Sequence, residues 1–194
     1  PDQSYHGVVY TRDFGRAAYI TKARVQLMRD LGCYPSAQAA FLLNHGLETL
    51  HLRMERHCQN ADQVARFLQQ HSKVESVNYP TLAEDPYHQL AQKYLLWVDP
   101  DGLRSGECQG LFRRRPGGRE AAVRFIDSLK LASLVVHVAD VRTLVLHPAS
   151  STHRQLTDEQ LVAAGIHPGM IRLSVGIEHV DDIIEDLKQA LEQA

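Results

Sequence analysis

The stretch Ile171-Arg172-Leu173-Ser174-Val175-Gly176 alternates apolar and polar residues with a period of two. As a strand it has one face that must be dry and one that carries a guanidinium. Such a strand belongs in a sheet covered mainly on one side. The chain supplies cover a few residues later, where Val180, Ile183, Ile184, Leu187 and Leu191 recur at helical spacing. Burying five such side chains contributes roughly 1.5–3 kcal/mol each before ordering entropy is subtracted, so this helix is expected to dock. Arg172 is left on the other face. A guanidinium rooted on a stiff strand loses little entropy when it grips a planar anion through two parallel hydrogen bonds. Arg172 is therefore a candidate carboxylate clamp; an arginine on a solvated sheet face is the plain alternative.

The remaining pattern predicts an α+β domain, a small, mainly antiparallel sheet covered by helices on one side. A helix is expected around Phe14 to Asp30, closed by Gly32, followed by a bend at Cys33-Tyr34-Pro35. Ser36 is placed to cap a helix that Gly46 interrupts, and a longer helix follows from Leu50 to Gln70, with Leu50, Met54, Cys58, Ala61, Ala65 and Leu68 as its apolar stripe. Val74 to Asn78 reads as a strand and Pro86 to Leu95 as a short helix. Residues 96–118 lack periodicity and carry turn chemistry at Asp99-Pro100-Asp101-Gly102. A helix resumes at Arg119. Leu134 to Val138 and Val141 to Leu146 read as two strands with Asp140 near the join, and Thr157 caps a brief helix that Gly165 ends.

Composition removes several function classes. With 194 residues and a net charge of −2, the chain has no field to attract nucleic acid or an anionic membrane. Arg113-Arg114-Arg115 is the one basic run and reads as a solvated loop. Cys33, Cys58 and Cys108 stand far apart, which argues against a disulfide framework or zinc site and suits a reducing cytoplasm. No apolar run approaches bilayer length. The eleven histidines show no ligating interval: His51 and His57 are six apart on one helix, and His147 and His153 flank Pro-Ala-Ser-Ser-Thr without a carboxylate or cysteine partner. There is no Gly-x-Ser-x-Gly, dinucleotide fingerprint or Walker loop. The tight polar loop His147 to His153 is the exception, placed at a strand end shortly before Arg172.

At these residues the chain resembles a family. Gly46-Leu47-Glu48 with Thr49 to Cys58, and His147 to His153 followed by Arg172 to Glu178, resemble two signatures of the pyridoxal-phosphate enzymes of cysteine and methionine metabolism. Tyr5-His6-Gly7 and Ile20 to Arg24 match the segment leading into them. Within the family the resemblance is stronger to the O-acetylhomoserine sulfhydrylases than to the cystathionine enzymes, which usually have a basic residue where Glu48 stands. It runs over nearly the whole chain. The exception is 96–116, where the family's apolar strand before Gly117-Gly118-Arg119-Glu120 does not fit, whether by divergence or by a compensated frame shift. A sheet strand is expected to be missing or poorly packed there.

The resemblance implies a fold-type I enzyme using pyridoxal phosphate, with this chain its C-terminal substrate-binding domain from residue 35, and 1–34 a connection from a large domain upstream. It implies replacement of the acetate of O-acetyl-L-homoserine by sulfide or a small thiol, methionine biosynthesis in the cytoplasm, and a homo-oligomer, a tetramer when intact. Arg172 would bind the substrate carboxylate, His137 would line the same pocket, and Ser151 and Thr152 would shape the loop. The family's Schiff-base lysine lies upstream of Tyr5. Lys22 matches a helix position of the family, and Lys73, Lys93, Lys130 and Lys188 are the others. The chain alone is thus expected to be inactive and not to bind cofactor covalently. The rival expectation is a non-catalytic docking or oligomerisation module, a remnant, or a domain of a related cystathionine enzyme.

Overall fold

The computed structural model describes residues 1–94, 97–98, 104–105, 109–114, 118–138 and 140–194, the three stretches between 97 and 114 by backbone alone. The chain divides into two compact units, Pro1–Thr49 and Leu50–Ala194.

The first unit is helical. A 3₁₀ turn, Gln3–Tyr5, precedes α1 (Tyr10–Phe14), a second 3₁₀ turn (Gly15–Ala17), α2 (Ala18–Lys22), a π-helical stretch (Ala23–Met28) and α3 (Arg29–Leu31). Gly32 stops this run at φ 67°, a left-handed conformation that costs glycine no Cβ clash. Its polar side chains lock the entry segment: Lys22 pairs with Asp2 at 2.9 Å, and Gln26 links Ser4 to the Tyr10 hydroxyl. Helix α4 (Ala37–Glu48) starts at Ser36, whose hydroxyl accepts from Ala39 N–H. It passes through Gly46, contrary to the expected break; one glycine in a helix costs only about 1 kcal/mol. No residue of α4 is buried, although Phe41, Leu42, Leu43 and Leu47 lie on it.

The second unit holds α5 (Leu50–Gln70), β1 (Val74–Asn78), α6 (His88–Tyr94), a two-residue pair β2 (Trp97–Val98) and β3 (Arg104–Ser105), β4 (Gln109–Arg114), α7 (Arg119–Asp127), β5 (Ser133–Leu134), β6 (Leu144–Leu146), α8 (Asp158–Ala163), β7 (Met170–Ser174) and α9 (Val180–Gln193). The main sheet has the order β1-β4-β7-β6-β5. Three of its pairings are antiparallel and β5–β6 is parallel, so the sheet is mixed. The two strands expected on either side of Asp140 are both present but shorter than Leu134 to Val138 and Val141 to Leu146, and they run parallel.

Two expectations for the atypical segment are corrected. The sheet is not short of a strand: β4 pairs with β1 on one side and β7 on the other. Arg113 and Arg114 belong to that strand, not to a loop. The backbone ladder does not depend on side-chain identity, so this segment pairs although its apolar pattern is weak. Apart from β2, β3 and β4, the residues of 96–116 lie outside the described ones.

The core lies on one face of the sheet. Ala61, Val64, Ala65 and Leu68 of α5, Phe125 and Ile126 of α7, and Ile183, Leu187 and Leu191 of α9 meet Val145, Ile171, Leu173 and Val175. The stripe on α5 is dry only in its C-terminal half: Cys58, Ala61, Ala65 and Leu68 are buried, whereas Leu50 is exposed. Helix α8 carries a full capping box between Thr157 and Gln160, and Gly165 follows it at φ 77°.

A polar knot closes the turn after β7. Asn60 Nδ2 donates to the carbonyls of Gly176 and Glu178, and His57 Nδ1 donates to Val175 O at 2.7 Å. Glu178 accepts from both the N–H and the hydroxyl of Thr143, which in turn accepts from Gly176 N–H. A Cβ on Gly176 would lie 2.5 Å from Thr143 N and from Arg142 C. Both are backbone atoms and cannot swing aside. Gly176→Ala is expected to lower unfolding free energy by about 1–3 kcal/mol, measured by denaturant titration; an unchanged midpoint would mean the turn shifts freely.

Candidate functional site

Arg172 is the third residue of β7, opposite Leu146 of β6 and Leu111 of β4. Its neighbours Ile171 and Leu173 point into the core, so the pleat sends Arg172 to the other face. There it is half-buried. Leu144 and Leu146 share that face and are 1% and 2% exposed. The side chain thus leaves the sheet among buried neighbours with its Nε shielded, while the bonds made by Nη2 are exposed.

Its immediate partners are backbone atoms. Nη2 donates to the carbonyls of Val136 at 2.8 Å and His137 at 3.1 Å. The Nε–H is shielded from solvent and has no partner among the described residues. A buried donor left unmade costs about 1–3 kcal/mol, which favours any arrangement that brings an oxygen to it. The segment carrying these carbonyls leaves β5 and is bonded to β6 through Val135 N–H and Val145 O at 3.1 Å.

His137 therefore meets Arg172 through its main chain, while the residue itself is exposed. Three residues on, the Asp140 carboxyl is held down at about 2, first by the Arg142 guanidinium and N–H and to a smaller extent by His137.

The loop after β6 begins one residue past Leu146, the partner of Arg172. His147 is 1% exposed. Its Nε2 lies 2.7 Å from Pro168 O and its Nδ1 2.9 Å from Ser150 Oγ. A carbonyl only accepts, so Nε2 carries the proton and Nδ1 of the neutral ring accepts from the serine hydroxyl, an assignment drawn from the bonding network. Burial pushes the imidazole below its ordinary 6.5, against an upward pull from Pro168 O. Ser151 Oγ donates to His147 O, and Thr152 Oγ1 bonds to His153 Nδ1 at 2.9 Å. Both hydroxyls are thus engaged within the loop, and no described contact joins them to Arg172. Arg119, which sequence reasoning did not single out, fixes the loop from α7 by donating to Ala149 O and to Asp158. Its presence in Gly117-Gly118-Arg119-Glu120 was the available signal.

The five lysines lie in the following surroundings. Lys22 is raised above its usual range by the Asp2 carboxylate. Lys73 donates to the carbonyls of Leu191 and Glu192 at the end of α9. Lys93, Lys130 and Lys188 are exposed. Among the described residues no three His, Cys, Asp or Glu side chains form a metal-binding group, and no described helix is long and apolar enough to cross a membrane.

The sequence model of the Cys/Met metabolism PLP-dependent enzymes matches residues 3–192. The chain belongs to this family. Its members use pyridoxal phosphate. The chain is 46% identical over 194 residues to homocysteine synthase of Schizosaccharomyces pombe, covering 100% of this chain and 43% of that protein. It is 47% identical over 199 residues to O-acetyl-L-homoserine sulfhydrylase of Leptospira meyeri, covering 98% and 43%. A crystal structure from Campylobacter jejuni, assigned as an O-acetylhomoserine (thiol)-lyase and containing N′-pyridoxyl-lysine-5′-monophosphate, superposes with a TM-score of 0.81 at 42% identity, covering 99% of this chain and 44% of that one. The chain thus spans less than half the length of these relatives.

The buried neutral imidazole of His147 makes a prediction about pH. Its folded-state pKa lies below the unfolded value of 6.5. The stability it contributes is therefore present above pH 6.5 and is lost as pH falls through the folded pKa. In denaturant titrations the stability advantage of the wild type over His147→Gln should shrink from pH 7.5 to pH 5; parallel profiles would mean that His147 does not titrate differently on folding.

Proposed function

We propose that this chain is the C-terminal part of a pyridoxal-phosphate-dependent O-acetylhomoserine sulfhydrylase, which converts O-acetyl-L-homoserine and sulfide to homocysteine and acetate. Its own contribution is the site for the substrate's α-carboxylate. The observation that carries this reading is the place of Arg172, half-buried on a central strand with Nη2 held by two carbonyls. Held there, the guanidinium loses little further freedom when a carboxylate binds. Nη1 has no bond to a described residue, so an acid oxygen can add to the donor set there. His137 contributes its carbonyl to aiming Arg172 and its ring to the wall of the pocket. Ser151 and Thr152 act on the shape of the loop, since their hydroxyls are spent within it.

When bound, the cofactor supplies the electron sink. The residues of this chain hold the amino acid by its acid end and so fix which of its bonds face the reacting centre. The lysine environments support a chain that is inactive alone and completed by a larger body. The exposed Phe41, Leu42, Leu43 and Leu47 on α4 support the same view, because a helix this apolar is ordinarily covered.

In the complete enzyme Arg172→Ala should lower kcat/KM for O-acetylhomoserine about 10²–10³-fold, the effect of leaving one half of a buried charge pair unmatched. Arg172→Lys should keep the charge and lose the planar fork, for a loss of about 10-fold. Steady-state kinetics decides it: near-normal efficiency in Arg172→Ala rules out the clamp.

A further inference from the structure

We propose that Asp186, in the middle of α9, is the positioning residue of the carboxylate site: it anchors the segment whose carbonyls aim Arg172. The proposal rests on the reading of Arg172 as the carboxylate clamp.

Asp186 is a carboxylate 6% exposed on the inward side of a helix. Its Oδ1 accepts from Lys130 N–H at 2.8 Å, and its Oδ2 accepts from Leu131 N–H at 2.9 Å and Ala132 N–H at 3.0 Å. Gln189, one helical turn on, donates to Oδ1 at 3.1 Å and to Ser128 O at 2.7 Å. Successive backbone N–H groups that converge on one anion form a nest, and hydrogen bonds to a charged acceptor are about twice as strong as neutral ones. The main chain of 128–132 is therefore tied to α9, which is itself fixed in the core through Ile183, Leu187 and Leu191.

The segment beyond this anchor has little else to hold it. Ala132 runs directly into β5, an edge strand of two residues paired on one side only. Leu134 is 59% exposed and Val136 55%, so burial adds little. Its links to β6 are the short parallel ladder that sets Ser133 beside Leu144 and Leu134 beside Val145, with Ser133 N–H to Thr143 O and Val135 N–H to Val145 O at its ends. Directly after Val135 come Val136 and His137, whose carbonyls hold Nη2 of Arg172. The position of those oxygens is thus set from one end by the Asp186 nest. A residue that only stiffened a surface loop would change stability without acting through Arg172.

The test uses the complete enzyme, with Asp186→Asn in wild-type and Arg172→Ala backgrounds. Asparagine keeps the shape but presents an NH₂ group to backbone donors. Amide hydrogen exchange of 133–138 should quicken about 10-fold or more while that of β7 stays unchanged. KM for the amino-acid substrate should rise about 10-fold with kcat within about 2-fold. In the Arg172→Ala background the same substitution should add less than about 2-fold. Unchanged exchange at 133–138, or a full-sized penalty in the Arg172→Ala background, overturns the proposal. If Arg172→Ala itself leaves KM unchanged, the carboxylate reading fails and the role of Asp186 in it fails too; the exchange data tell this apart from a failed anchor. Should Asp186→Asn not accumulate as folded protein, Gln189→Ala removes one donor to Asp186 and the tether to Ser128. It should raise KM about 3-fold with the same non-additivity, and no rise overturns the proposal.

Discussion

Ile171 and Leu173 must be dry, and Arg172 between them must keep its charge paired. The pleat of β7 meets both demands by sending the first two into the helix-covered core and the third to the opposite face. A slip of one residue in register would reverse every side chain and put the guanidinium among Phe125, Leu187 and Leu191. Burying an unpaired charge there costs far more than any alternative pairing returns. The register of β7 against β4 and β6 is thus fixed by charge as much as by apolar burial.

The same strand ties fold to site at its other end. Gly176, Thr143, Glu178, Asn60 and His57 join β7, the start of β6 and α5 through one connected set of hydrogen bonds. Each buried polar group named there has a partner, the condition under which a polar cluster rigidifies a core instead of weakening it. The strand bearing Arg172 is therefore held along its length by ladders and at its end by this knot. The short edge strand β5 and the segment after it lack such support, and they depend on side chains from elsewhere in the chain.

Elements whose pattern was local could be read from the sequence. The β7 alternation, the stripe of α9, the Ser36 and Thr157 caps and the glycine stops at Gly32 and Gly165 all involve residues within a turn or two of one another. Gly46 was misread because a glycine's helix penalty is small and the surrounding helix overrides it. β4 was misread because its apolar pattern is weak, yet a strand flanked by two partners gains a ladder on both edges. The bonding of the Ser151 and Thr152 hydroxyls was not legible because their partners, His147 O and His153 Nδ1, can be assigned only from loop geometry.

The amino-acid order by itself determined which strand carries the guanidinium, which helix covers that strand, and the family to which both belong, since these rest on periodicity and on contiguous motifs. Only the tertiary structure decided that Arg172 meets the carbonyls of Val136 and His137, and that Asp186 gathers three amides 54 to 56 positions earlier in the chain. Those partners are backbone atoms, alike at every residue, so no side-chain pattern marks them in advance; folding alone selects which of them come within hydrogen-bonding distance.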